Sequence, residues 1–183
     1  MQQYTEDDIV KQLHDPQQQR NAFTKIVGMY GENLYWQIRK MVLDHDDAND
    51  ILQNTFLKAW MNIDYFRGEA KIFTWLYKIT FNECITFLTK QRAMNNISID
   101  DTDIFLLERL KGDEYFDGDE AQTKLQAAIL TLPEKQRIVF NMKYFDEMKY
   151  EDMSEILGTS VGALKSSYHY AVKKVEEFLT KDV

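Results

Sequence analysis

The chain has 183 residues, 44% of them hydrophobic and 13% aromatic, enough apolar material to exclude wholesale disorder and enough length for one ordinary domain or two small ones. Seven glycines and two prolines are too few to punctuate a many-stranded sandwich or barrel, so an all-α fold is expected, and the single cysteine, Cys84, excludes an internal disulfide or a zinc cage of cysteines and points to a reducing compartment. The net charge of −8 argues against a polyanionic partner only if it is evenly spread. It is not: residues 1–93 carry 11 Lys and Arg against 12 Asp and Glu, residues 94–121 carry 2 against 9, and residues 122–183 carry 9 against 9.

In chain order, Thr5 followed by Asp8 has the spacing of a capping box, and Asp15 followed by Pro16 marks a second helix start. Further helices are expected at about 31–43, 47–63 and 71–91, separated by the acidic turn Asp44, His45, Asp46 and by Phe66, Arg67, Gly68. Residues 94–121 mix acidic clusters, two glycines and one short apolar run at 104–107, the pattern of a linker with at most a turn of helix. Helices at about 120–130, 133–145, 150–157 and 161–180 follow, with Gly158 as a helix stop and Ser160 as an N-cap. Two small helical domains, 1–93 and 122–183, flank the acidic linker 94–121.

Residues 150–180 have the layout of a helix-turn-helix, whose second helix enters the DNA major groove. At about 100° per residue, Val161, Leu164, Tyr168, Ala171, Val172, Val175 and Leu179 share a buried side. The opposite arc holds Gly162, Lys165, Ser166, His169, Tyr170 and Lys173, small residues and donors suited to phosphates and base edges. A solvated face of a helical bundle is the alternative.

The helix at 71–91 has a broad apolar side of Tyr77, Phe81, Cys84, Ile85, Phe87 and Leu88. This leaves Trp75, Lys78, Asn82, Thr86, Thr89 and Lys90 on the other side. Trp75 among polar residues suits stacking on an unpaired base, or it packs as core beneath the loop at 65–69. Phe66 in that loop can likewise accept a flipped base or pack inward. On the helix at 47–63, Ala48, Leu52, Thr55, Phe56, Ala59, Trp60 and Ile63 are expected to face inward, and Asp47, Asp50, Gln53, Asn54, Leu57, Lys58 and Met61 outward. Leu57 and Met61 within a polar rim suggest a protein-docking face.

Catalytic chemistry finds little support. His14, His45 and His169 are scattered, and the chain contains no HExxH, no glycine-rich phosphate loop and no nucleophile elbow. The acidic cluster Asp44, His45, Asp46, Asp47, Asp50 is better explained by helix capping than by a metal, and Cys84 by core packing. No cofactor is implied. No stretch of about 18 apolar residues marks a membrane span, and the opening MQQYTEDDIV is polar and acidic, unlike a secretory signal, so a soluble, cytoplasmic protein is expected.

These residues together resemble the extracytoplasmic-function (ECF) group of bacterial RNA polymerase sigma factors, of the sigma-70 family. DANDILQNTFLKAW at 47–60 is similar to the family's region 2 helix, and the resemblance implies that Asp47, Asp50, Gln53, Asn54, Leu57, Lys58 and Met61 dock on the polymerase β′ clamp. YFRGE at 65–69 followed by FTWLYKI at 73–79 and Asn82 looks like the segment that opens the −10 element. It implies roles for Tyr65, Phe66, Arg67, Lys71, Trp75, Lys78 and Asn82. LPEKQR at 132–137 with residues 150–174 is similar to region 4, implying −35 contacts by Ser160, Gly162, Lys165, Ser166, Ser167, His169, Tyr170 and Lys173 and contact with the β flap. Where the family often has arginines, this chain has Thr89, Lys90, Gln91, Arg92 and, in the second helix, Ser167 and Tyr170, so guanine readout falls mainly to Lys165 and His169. The resemblance implies a transcription initiation factor, not an enzyme, that binds core polymerase and promoter DNA and is held inactive by an anti-sigma partner. A two-domain repressor or activator without polymerase docking is the alternative from another class.

Overall fold

The structure, a computed structural model, describes residues 5–95 and 120–181. Among the described residues it is helical throughout, with one short 3₁₀ turn and no strand. The helices are α1 (Glu6–Leu13), α2 (Gln19–Val42), α3 (His45–Met61), α4 (Ile72–Met94), α5 (Glu120–Leu130), α6 (Glu134–Tyr144), α7 (Tyr150–Leu157) and α8 (Val161–Thr180). The chain divides into two compact units, residues 1–89 and 90–183. The apolar run at 104–107 and most of the acidic segment expected to act as a linker lie outside the described residues.

In the first unit the local start signals operate as expected. Thr5 and Asp8 form a reciprocal capping box, each backbone N–H bonded to the other's side chain at 3.3 Å. The hydrogen bonds from Thr5 hold the Asp8 carboxyl below its ordinary range. Asp15 organises the turn before α2 by accepting from Gln17 N–H at 3.0 Å and from the Gln18 amide at 2.6 Å. The helix expected to begin at 31 is instead the last part of the 24-residue α2, which runs through Gly28 and Gly31. Each glycine costs a helix about 0.5–1 kcal/mol. The buried side chains of Ala22, Ile26, Leu34, Ile38 and Val42 along the same helix outweigh that cost, each large one contributing about 1.5–3 kcal/mol.

The turn between α2 and α3 is tighter than the three-residue acidic turn expected. Leu43 takes the left-handed conformation at φ 59° and bonds back to the Arg39 carbonyl at 2.9 Å. Burial of its side chain, 2% exposed, offsets that strain. Asp44 then caps α3 by accepting from Asp47 N–H at 2.9 Å, and His45 lies inside the helix, bonded to Tyr35 Oη at 2.7 Å and Asn49 Nδ2 at 3.0 Å. The acidic cluster is therefore a helix start, as its position relative to the dipole suggested.

Apolar clusters hold the described part of this unit. Ile9, Leu13, Ala22, Ile26, Leu34, Ala59, Ile63, Phe66, Ile72 and Leu76 form one. Ile38, Val42, Ala48, Ile51, Cys84 and Leu88 form another, and burial there pushes the Cys84 thiol far up from its ordinary pKa. In the second unit, Ala128, Ile129, Leu132, Phe140, Ala171 and Val175 form the core, with Phe140 stacked on Tyr144 at 5.1 Å between centroids. Gly158 ends α7 at φ 63°, a conformation that costs a side chain about 1 kcal/mol and glycine little. Ser160 caps α8 by accepting from Ala163 N–H at 3.3 Å, so the bend between α7 and α8 is specified by a stop and a start two residues apart.

Candidate polymerase and promoter interfaces

On α3, Asp50, Gln53, Asn54, Leu57, Lys58 and Met61 are exposed, Leu57 by 60% and Met61 by 76%, while Asp47 is half-buried at the first turn. Trp60, expected inward, is a correction. Its ring packs edge-on against Phe23 at 5.1 Å but remains 39% exposed, because α2 covers only one side of it. Leu57, Trp60 and Met61 thus fall within one turn of each other and make a larger apolar patch than Leu57 and Met61 alone. Lys58 is not a free cation on this face, since it forms an ion pair with Glu83 of α4.

The loop between α3 and α4 separates the two aromatics that the sequence treats alike. Tyr65, closing the 3₁₀ turn Ile63–Tyr65, is 80% exposed. Phe66 is 4% exposed and stacks on Trp75 at 4.8 Å between centroids and 34° between planes. Phe66, placed among the −10 contacts on resemblance, is therefore a core side chain in this structure, because Trp75 and the cluster around Ile63 and Ile72 offer its ring more apolar contact than water does. Trp75 is half-buried against the same cluster, with its packing reading realised. Arg67 and Lys71 are exposed beside the loop, and Lys78 and Asn82 continue the exposed polar stripe along α4, followed by Thr86, Thr89 and Lys90. Gly68 sits at φ 73°, and a Cβ there would come within 3.1 Å of Val10 Cγ1.

On α8 the buried side is the one expected. Leu164, Ala171 and Val175 are buried, with Tyr168, Val172 and Leu179 packed against the core beside Phe178, which the wheel left out. Gly162, Lys165, Ser166, His169, Tyr170 and Lys173 are exposed on the other side, Tyr170 by 58%. Ser160 is exposed but engaged as the cap, and Ser167 is half-buried. Lys165 Nζ lies 5.7 Å from the centroid of the Tyr150 ring, and Lys143 Nζ lies 5.0 Å from the same ring. Burial raises the pKa of the Tyr150 phenol, and the π face of its neutral ring is the platform for both cations. The sequence did not reveal Tyr150 as a partner of Lys165, nor Lys143 as a second cation over the same ring. Tyr150 opens α7, and only the bend at Gly158 brings it near α8.

Residues 26–94 match the family described as Sigma-70 region 2, and residues 122–175 match Sigma-70 region 4. The ECF RNA polymerase sigma factor SigW of Bacillus subtilis is 30% identical over 158 residues, covering 82% of this chain and 84% of that protein. The RNA polymerase sigma factor SigV of the same organism is 32% identical over 141 residues, covering 77% and 81%. The chain belongs to the ECF RNA polymerase sigma factors. Its α3, α4 and the loop between them fall in region 2, and α6 to the greater part of α8 in region 4. The fold of this sigma factor is shared with two solved structures. The sigma factor RpoE of Bartonella quintana, in complex with the anti-sigma factor NepR, superposes with a TM-score of 0.68 at 23% identity, covering 88% of this chain and 98% of that one. CnrH, in complex with the cytosolic domain of CnrY, superposes with a TM-score of 0.69 at 22% identity, covering 96% and 97%. Among the described residues of this sigma factor, no helix is long and apolar enough to cross a membrane.

Proposed function

We propose that this sigma factor docks on core RNA polymerase through α3, contacts the −10 element through residues 65–82 and reads the −35 element with α8, residues 1–93 and 122–183 acting as separate modules joined by the acidic segment 94–121. The observation that carries this reading is the exposed stripe Gly162, Lys165, Ser166, His169, Lys173 on α8, projected from a helix-turn-helix whose other side packs on the core through Ala171 and Val175. Small residues at its start permit close backbone approach to DNA, and the cations and hydroxyls suit phosphates and base edges.

Docking is assigned to Leu57, Trp60 and Met61 with Asp50, Gln53 and Asn54 as rim, an apolar centre in a polar surround. On the −10 side, Tyr65 is the exposed aromatic, with Arg67, Lys71, Lys78 and Asn82 as polar contacts and the open part of Trp75 beside them. Two weak DNA contacts on one polymerase reinforce each other through effective concentration. The seven excess negative charges of residues 94–121 disfavour DNA binding by the free chain. The protein works in the cytoplasm, and an anti-sigma factor that covers these faces holds it inactive, a reading supported by the complex of the structurally similar RpoE with the anti-sigma factor NepR.

Reconstituted run-off transcription with core polymerase tests the reading. Wild-type protein should support initiation from a promoter carrying matched −10 and −35 elements, and Leu57→Ala with Met61→Ala should weaken core association by at least tenfold, the effect of about 1.4 kcal/mol from an interface anchor. Binding of the isolated chain to duplex promoter DNA as tight as that of the holoenzyme would reject it.

A further inference from the structure

Residues 64–72 carry three of the exposed groups assigned above to the −10 element, Tyr65, Arg67 and Lys71, yet the segment is held by side chains from outside it. Glu6 Oε1 of α1 accepts the Ile72 N–H at 2.6 Å, satisfying the first orphan amide of α4 with a carboxylate placed at the positive end of its dipole. Two turns further along, the ring of His14, which follows α1, lies between two carbonyls, Nδ1 2.8 Å from Val10 O and Nε2 2.9 Å from Phe66 O, and a protonated ring nitrogen donates to the carbonyl it faces. Between these two points Val10 occupies the space that a side chain at residue 68 would need. At the entry to the loop, the Gln19 amide of α2 donates to Asp64 Oδ1 at 2.9 Å. The family match to region 2 begins at residue 26, after all four of these partners.

We infer that α1 is a clamp that sets the conformation of residues 66–72, with Glu6 and His14 as positioning residues for promoter opening at the −10 element. This rests on the assignment of that loop to the −10 element under Proposed function. The clamp grips backbone atoms at both ends of the segment and crowds its middle, where residue 68 holds φ 73° with Val10 3.1 Å from the place of a Cβ, while Tyr65 and Arg67 are exposed and are not part of it. That division is what base capture needs. A loop that reads a flipped base loses affinity and discrimination if it must be ordered at the moment of contact, and fixing it beforehand removes that cost.

The test uses the full chain. Glu6→Ala, Glu6→Gln, His14→Ala, Tyr65→Ala and Arg67→Ala are each compared by hydrogen exchange of the free protein and, with core polymerase at saturating sigma factor, by open-complex yield across promoters differing by single bases in the −10 element. Glu6→Ala and His14→Ala should leave core association within about twofold, accelerate exchange of the amides at 66–72 by at least about tenfold, and narrow the spread of yields across the promoter set by at least about fivefold. Glu6→Gln keeps an acceptor oxygen for the Ile72 N–H and should stay near wild type in all three, a rescue that general loss of stability does not produce. If Tyr65→Ala and Arg67→Ala both leave discrimination at −10 unchanged, the loop assignment fails and the inference falls with it. If they alter discrimination while Glu6→Ala and His14→Ala do not, or if Glu6→Gln is as defective as Glu6→Ala, the clamp alone is overturned.

Discussion

Lys58 on α3 and Glu83 on α4 form an ion pair that ties the helix assigned to polymerase docking to the helix assigned to promoter opening. The Glu83 side chain is only 14% exposed and that of Lys58 is 56% exposed. The carboxylate therefore depends on the lysine more than the lysine on the carboxylate. Glu83 is a negative charge next in sequence to Asn82 of the exposed polar stripe on α4. The charge is turned toward α3 and neutralised there by its partner.

Lys58→Ala should accordingly act on the first unit's stability as well as on docking. A partly exposed pair contributes about 0.5–1 kcal/mol, which for a unit of this size lowers Tm by roughly 2–8 °C. The exchanged pair Lys58→Glu with Glu83→Lys should recover most of that loss in a thermal melt, and recovery of core association in the same double variant would separate alignment of α3 and α4 from a direct polymerase contact by Lys58.

Phe66 and Tyr65 should part company under substitution. Phe66→Ala removes a buried ring stacked on Trp75 and should destabilise the protein by about 3 kcal/mol in urea unfolding. Tyr65→Ala changes an 80% exposed side chain and should alter stability by less than about 0.5 kcal/mol while reducing open-complex formation. Equal destabilisation by both would contradict the division between them.

Tyr150 should influence −35 recognition only through Lys165. A cation over this half-buried ring near the surface is worth about 0.5–1 kcal/mol, so Tyr150→Leu should weaken −35-dependent initiation about two- to fivefold and Tyr150→Phe should not. In a Lys165→Met background the effect of Tyr150→Leu should disappear. A full effect that persists there would mean that Tyr150 acts by packing or by its own contact.

Cys84 should be inert in the folded protein. Burial raises its thiol pKa above the ordinary thiol range, so the contribution it makes to stability is complete below about pH 8.5 and is lost progressively above it, where the unfolded chain ionises the thiol and the folded one does not. Labelling by a maleimide at neutral pH should follow global unfolding, and rapid labelling of the native protein would show that the cluster around Ile38 and Leu88 opens locally.

Local signals determined much of this protein without tertiary information. The all-α class followed from composition, the starts of α1 and α8 from Thr5 and Ser160, the end of α7 from Gly158, and the inward face of α8 from its 3.6-residue period, because each depends on groups within a few residues of one another. Contacts between elements decided the rest. Packing carried α2 through Gly28 and Gly31 against their propensity. It sent Phe66 inward and left Tyr65 out, although both are aromatic and adjacent. It also paired Lys58 with Glu83, 25 residues away, and brought Glu6 to Ile72 across 66 residues. No periodicity records such pairings, since they arise from which faces meet when the helices pack.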